Sequence, residues 1–347
     1  MKKCMVTGAT GHVGSALIKE LLHAGWDVTA FILPGESLLP FEGAKPTILR
    51  GDVRDPYAVL RACIGMDTVF HLAGIVSIGS GKQTAMEQVN IGGTKNIIRA
   101  CKTAGVKRLV YVSSVHAIPE PDKDIPIKEV SRFDPAAVKG RYAKTKAAAT
   151  QLVLNAAKNG LDAVVVHPSG VIGPYEHTLS NIGQMIVDTL NGSLHAYIDG
   201  KYNFVDVRDV ARGIRLAAER GKSGECYILS GEVVTVKEML DTITRTAGIL
   251  PVRIKLPYWL AQVTAPLSEL YYKCRHQKPL YTPYAIYTLH TNCNFDCSKA
   301  EHELGYRYRS AAKSLQDTVL WMIENQKAKP SRRPKRKFRR LRTATAK

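Results

Sequence analysis

A chain of 347 residues that is 45% hydrophobic has enough apolar material to bury one large core or two modest ones, which excludes a wholly disordered protein. The formal charge of +19 is unevenly spread: eleven Lys/Arg and no acid fall between Lys327 and Lys347, and taking those eleven away leaves +8 for the rest. Most of the excess basicity therefore belongs to a tail, and the body is only moderately basic.

The first stretch is a strand, a glycine turn and a helix. Cys4–Val6 is a short apolar strand, too short for the apolar region of a signal peptide despite Lys2 and Lys3 ahead of it. It runs into Thr7-Gly8-Ala9-Thr10-Gly11-His12-Val13-Gly14, and a helical apolar pattern (Leu17, Ile18, Leu21, Leu22) follows. A strand, a glycine turn and a helix N-terminus together present backbone N–H groups and a helix dipole to a pyrophosphate. Gly8 would form the turn, Gly11 would admit the phosphate, and Gly14 would let helix and strand pack closely.

Apolar runs and helical patterns then alternate, as a parallel sheet with helices on both faces requires. Strands are expected at Val28–Leu33, Thr47–Leu49, Thr68–Leu72, Arg108–Ser113 and Ala163–His167, with helices over 13–24, 56–64, 84–104 and 138–158. Asp55-Pro56 is a helix start and Gly105 a helix stop. After Pro168 the pattern loosens into helices near 179–191, 208–220, 235–247, 257–273 and 311–325 and short strands at 195–198, 225–229 and 251–255. The expected organisation is a dinucleotide-binding domain over 1–170 with 204–230 packing back on it. A smaller mixed α/β substrate lobe follows over 171–326, then a disordered basic tail over 327–347. The uncharged stretch Leu256–Ser268 is too short to span a bilayer. Cysteines 4, 63, 101, 226, 274, 293 and 297 form no even disulfide framework and no zinc spacing, so reduced thiols in a cytoplasmic protein and no metal are expected.

Two features carry chemistry. Tyr142 and Lys146 stand at i and i+4 at the start of a helix, which puts phenol and ammonium side by side. A neighbouring cation favours a phenolate whose proton is otherwise held to a pKa of about 10. Ser113-Ser114 ends a strand at the carboxyl edge of the sheet, where a hydroxyl can donate to an oxygen gaining negative charge.

With these motifs in order, the chain resembles the extended short-chain dehydrogenase/reductase family over roughly residues 2–325. The resemblance rests on Gly8-x-x-Gly11-x-x-Gly14, Gly51-Asp52-Val53-Arg54-Asp55, His71-Leu72-Ala73-Gly74, Asn90 before Gly92-Gly93-Thr94, Ser113-Ser114 and Tyr142-x-x-x-Lys146. His167-Pro168-Ser169-Gly170-Val171-Ile172-Gly173-Pro174 and Phe204-Val205-Asp206-Val207-Arg208-Asp209-Val210 follow. It is most similar to the dihydroflavonol reductase and 3β-hydroxysteroid dehydrogenase branch. The resemblance implies a Rossmann-type doubly wound sheet binding NAD or NADP. It assigns Tyr142 as general acid/base, Lys146 to lower its pKa and bond the nicotinamide ribose, and Ser114, with Ser113 as alternate, to orient the substrate oxygen. It also implies that Gly8, Thr10, Gly11, His12, Val13 and Gly14 hold the pyrophosphate, Asp52 and Val53 the adenine, and Leu72, Ala73, Gly74 and Asn90 the region beyond. Pro168 and Ser169 would flank the nicotinamide.

Two departures bear on specificity. Relatives often carry an arginine where Leu33 stands, and no acid occupies the strand end itself; Glu36 lies beyond the turn, facing solvent, so NAD and NADP both stay open. Dehydratases of the family carry an acidic pair after the active hydroxyl, whereas this chain reads Ser114-Val115-His116-Ala117. His71 and His116 are expected to be structural. Tyr175, Tyr258, Trp259, Tyr271 and Tyr272 suit either a flat apolar ligand or the second lobe's own core. The function expected is oxidoreduction of a secondary alcohol or ketone on a steroid- or flavonoid-like molecule. The alternatives are a nucleotide-sugar epimerase with retained NAD, and a non-catalytic dinucleotide-sensing protein. In the latter the tail would hold nucleic acid or an anionic membrane. Family habit suggests a homodimer.

Overall fold

Of the first six strands, all but the exposed edge strand Thr47–Arg50 have largely apolar, buried sequence, as strands covered by helices do. The six are β1 (Lys3–Thr7), β2 (Asp27–Ile32), β3 (Thr47–Arg50), β4 (Thr68–His71), β5 (Arg108–Val112) and β6 (Ala163–Pro168). The structure, a computed structural model, describes residues 1–76, 83–122, 125–260 and 287–331. Tyr271, Tyr272, Cys274, the far part of the expected 257–273 helix and the tail beyond 331 lie outside the described residues.

Helices α1 (His12–His23), α2 (Pro56–Cys63), α3 (Gln83–Glu87), α4 (Thr94–Ala104) and α5 (Arg141–Lys158) connect these strands. Beyond β6 the chain leaves the sheet through β7 (Gly170–Ile172), α6 (Asn181–Asn191), β8 (Ala196–Ile198) and β9 (Lys201–Asp206). It returns along α7 (Val207–Arg220) to β10 (Cys226–Leu229). The main sheet is parallel and seven-stranded, in the order β10-β6-β5-β4-β1-β2-β3. Strand order reverses between β1 and β4, and in such sheets ligands bind outside the carboxyl ends at that reversal. The fold is thus the expected Rossmann-type arrangement.

Local chemistry places the helix ends. Asp55 Oδ1 accepts from the N–H groups of Tyr57 (2.9 Å) and Ala58 (3.2 Å), and Pro56 opens α2. Gly105 closes α4 at φ +68°. The expected 84–104 helix is not continuous: a π-helical turn, Gln88–Gly93, interrupts it. The helix expected from 138 starts at Arg141, after Gly140 at φ +93°.

The remaining elements are β11 (Glu232–Thr235), α8 (Val236–Ala247), β12 (Ile254–Leu256), α9 (Ser298–Leu304) and α10 (Ala311–Glu324). Strands β7, β9 and β11, which the loose pattern after Pro168 hides, make a three-stranded sheet, and β8 pairs with β12. One apolar core lies around the main sheet and includes α7, β10 and α9. A second gathers residues from α6, α8 and α10. Residues 327–331, assigned to the tail on composition, are tied down: Ala328 is buried and Ser331 N–H donates to Leu190 O at 2.8 Å. Six cysteines fall among the described residues, all buried and none disulfide-bonded. No helix among the described residues is long and apolar enough to cross a membrane.

The close packing of α1 on the turn after β1 depends on Gly14, where an added Cβ would lie 2.1 Å from Gly8 O and 2.8 Å from Ala9 Cα. Gly14→Ala is expected to cost about 3 kcal/mol or more, because backbone must move. Gly25→Ala meets nothing within 4 Å and is strained only through its φ of +80°, so it should cost about 1 kcal/mol. Urea denaturation of the two variants measures the difference.

Candidate active site at the carboxyl edge of the sheet

The glycine turn is shaped by its neighbours. Gly8 sits at φ +64°, and a Cβ there would be 2.8 Å from Ala73 N. Gly11 is the N-cap of α1 and provides no side-chain acceptor, so the first N–H groups of the helix remain for a ligand. His12 Nε2 donates to Pro174 O (2.9 Å) and pins the turn to the segment after β7. Thr10 and Val13 lie on the same turn. With Ala73 close against Gly8, the turn is a cradle that side chains would fill, which fits a dinucleotide pyrophosphate.

A buried network fixes that turn to the helix carrying Tyr142. Thr94 Oγ1 donates to Asn90 O (2.7 Å), so it accepts from His71 Nε2 (3.1 Å). His71 Nδ1 then accepts from Thr7 Oγ1 (2.8 Å), whose oxygen accepts from the N–H groups of Leu72 (3.2 Å) and Ala73 (3.1 Å). Burial, aided by Lys146, pushes the His71 imidazole down to about 3, so it is neutral and structural. Asn90 sits in the π turn. Its Oδ1 accepts from Ile75 N (2.7 Å), while Nδ2 donates to Ile75 O (3.1 Å) and Thr145 Oγ1 (3.0 Å); Thr145 in turn donates to Tyr142 O (2.8 Å). Asn90 therefore supports the site through backbone.

The two serines point differently. Thr150 Oγ1 donates to Lys146 O (2.8 Å), which leaves Ser113 Oγ to donate to Thr150 Oγ1 (2.7 Å), and the Ser113 hydroxyl is spent. Ser114 Oγ accepts from His116 N (3.3 Å) and caps the turn Val115–Ala117, retaining its own proton to donate. The His116 ring lies edge-on to Tyr142, centroids 6.4 Å apart, and accepts or donates at Nε2 with Tyr202 Oη (3.0 Å). Lys146 is 4% exposed; its Nζ donates to Val112 O (2.7 Å) and Tyr111 Oη (3.3 Å) and lies 4.8 Å over the Tyr111 ring. Gly74 borders it, an added Cβ there lying 3.7 Å from Nζ.

At the end of β6, His167 Nδ1 donates to Ser114 O (2.9 Å) and its ring stacks on Phe133. His167 Nε2 and Ser169 Oγ are buried without hydrogen-bond partners among the described residues. Such atoms cost free energy unless something satisfies them, and beside Pro168 they suit a polar ligand edge.

The adenine end is charged. Asp52 accepts from Arg54 N (2.8 Å), Nε (2.9 Å) and Nη2 (2.6 Å), and this guanidinium holds its carboxyl below the usual range. Val53 is buried against Gly93. Glu36 is half-exposed beyond the turn, and its Oε2 accepts from Leu33 N at 3.0 Å. Arg50, unmarked in the sequence, donates to carbonyls of the same turn.

A cavity of about 590 Å³ opens beside His116, with an apolar wall that includes Val115, Ile118, Ile127 and Phe295 and a polar one that includes Glu120, Asp122, Lys139, Tyr202 and Asn292. Tyr175 instead packs edge-on to Trp321, and Trp259 is exposed. No metal-binding cluster occurs among the described residues.

Burial lowers the Lys146 pKa to about 7 from 10.5. Between those values the unfolded chain binds more protons than the folded one, so this group makes stability rise with pH. Urea midpoints at pH 7 and pH 9 should show that rise in the wild type relative to Lys146→Met; parallel midpoints would contradict it.

A family model described as NAD dependent epimerase/dehydratase family matches residues 4–230. The chain is 31% identical over 326 residues to a protein of Methylococcus capsulatus named sterol demethylase protein B, covering 92% of this chain and 98% of that one. It is also 31% identical to a putative dihydroflavonol 4-reductase of Synechocystis, covering 91% and 93%. The crystal structure of gox2253 superposes with a TM-score of 0.82 at 31% identity, covering 95% of this chain and 100% of that one. The chain belongs to the NAD dependent epimerase/dehydratase family, as an extended short-chain dehydrogenase/reductase.

Proposed function

We propose that the protein is an NAD(P)-dependent oxidoreductase interconverting a secondary alcohol and a ketone on an apolar substrate of sterol or polycyclic phenol type. The observation carrying this reading is the carboxyl end of β5, where Lys146 is buried against the Val112 carbonyl, Ser114 keeps a hydroxyl proton to donate, and Tyr142 lies edge-on to the His116 ring that borders a cavity of mixed polar and apolar lining. The names of the sterol and dihydroflavonol relatives agree with that substrate class. In this reading residues 1–170, with 204–230, form the cofactor lobe and 171–326 the substrate lobe.

The glycine turn and α1 hold the pyrophosphate, Asp52 and Val53 the adenine, and Ser169 the nicotinamide side. When bound, the nicotinamide supplies or accepts the hydride. Ser114 donates a hydrogen bond from its hydroxyl to the substrate oxygen and orients it, keeping its own proton. Tyr142 Oη gives or takes the proton at that same oxygen, over a short path because both groups flank it. Lys146 makes the phenolate less costly. Its own charge, expensive in a buried site, is favoured in turn by a phenolate one helical turn away, so the two titrate as a pair.

Assays of the purified protein with NADH and with NADPH against steroid, flavonoid and small-aldehyde panels are expected to show turnover on a polycyclic substrate. Tyr142→Phe should lower kcat by about 10³-fold with dinucleotide binding retained, and Lys146→Met should weaken both. Undiminished kcat in Tyr142→Phe removes the mechanism. Cofactor that copurifies tightly, with no net consumption of added NAD(P)H, redirects the reading to epimerisation.

A further inference from the structure

The ribose 2′ position of the cofactor is read at the carboxyl end of β2, where an acid takes a 2′-hydroxyl and a nearby arginine takes a 2′-phosphate. Here the strand-end residue is Leu33, which can do neither. Two charged side chains reach the same turn from elsewhere. Glu36 folds back so that Oε2 accepts from Leu33 N at 3.0 Å. Arg50 is the last residue of β3, in register with Ile32, and the ladder continues past it through Gly51 N–H to Ile32 O at 2.8 Å. Its position is therefore set by the sheet. Arg50 Nη1 donates to Leu33 O (3.3 Å) and Glu36 O (3.5 Å).

Both acceptors are neutral carbonyls, and both use Nη1. The Nε/Nη2 edge of the guanidinium, the edge that grips phosphate in bidentate fashion, is not spent on the turn. The carboxylate of Glu36 has one oxygen committed to a backbone N–H, which leaves it less able to take a ribose hydroxyl in a paired fashion. The positive charge missing at position 33 is thus supplied from the neighbouring strand.

We propose that Arg50 reads the cofactor's 2′ position by taking the 2′-phosphate, and that the protein prefers NADP(H) to NAD(H). This rests on the dinucleotide reading of the glycine turn above. The full chain is titrated with NADPH, NADH, 2′-phospho-AMP and 5′-AMP, binding being followed by calorimetry and without substrate. Wild type is expected to bind NADPH and 2′-phospho-AMP at least about tenfold tighter than their unphosphorylated counterparts, a gap that narrows with salt. Arg50→Gln should close that gap while leaving the NADH Kd within about twofold, Arg50→Lys should fall between, and Glu36→Gln should tighten NADPH alone.

Equal or tighter binding of NADH by wild type overturns the proposal. So does an Arg50→Gln variant that loses NADH and NADPH in equal measure, since Arg50 would then only brace the turn. Binding of neither dinucleotide by wild type removes the nucleotide site itself and Arg50's role with it, a failure distinct from loss of discrimination alone.

Discussion

A file of buried hydrogen bonds runs from the glycine turn to the helix bearing Tyr142, and the geometry of the site rests on it. Thr7 ends β1, His71 ends β4, Thr94 opens α4, and Asn90 with Thr145 carries the chain to the Tyr142 carbonyl. Each hydroxyl has one proton to give, so fixing the last donor fixes the direction of every earlier bond and assigns His71 its Nε2–H form. Such a network costs little while complete and a great deal when one member is lost, because the remaining groups stay buried. It couples the glycine turn after β1 to the helix that carries Tyr142.

Burial also sets the protonation of the neighbourhood. It pushes the imidazoles of His116 and His167 to about 4 and that of His71 to about 3, while Lys146 is lowered only to about 7. The histidines are therefore neutral at physiological pH. Lys146 is the group nearby whose charge changes close to neutrality, held by the Val112 carbonyl and the Tyr111 ring. The site around Lys146 thus holds neutral imidazoles beside one amine that titrates near neutrality.

Partly buried ion pairs help join the two cores, alongside the Tyr175–Trp321 ring contact. Arg208 bridges Asp206 and Asp317, and Arg309 bridges Asp209, binding α10 and its lead-in to the start of α7. Asp206 is fully buried, so each of these pairs would be costly to break by removing one partner. Glu129 performs a related task at the sheet edge, its Oε1 accepting from Ile228 N on β10 (2.7 Å) and so capping an otherwise open strand.

Much was readable along the chain because it depends on neighbours in sequence. Period and punctuation locate the strands and helices of the sheet, Gly8 to Gly14 mark the turn, and the i to i+4 spacing puts Tyr142 beside Lys146, since helical geometry is local. Other features arise from residues far apart. The Ser113 hydroxyl is taken by Thr150, thirty-seven residues on, and the Ser114 hydroxyl is not. The π turn that turns Asn90 inward leaves no mark in an apolar pattern that continues through it. Arg50 meets Leu33 and Glu36 because β3 pairs with β2, and His116 meets Tyr202 because β9 returns across the site. Side-chain hydrogen bonds are won by whichever partner the fold delivers, and spacing along the chain carries no record of that competition.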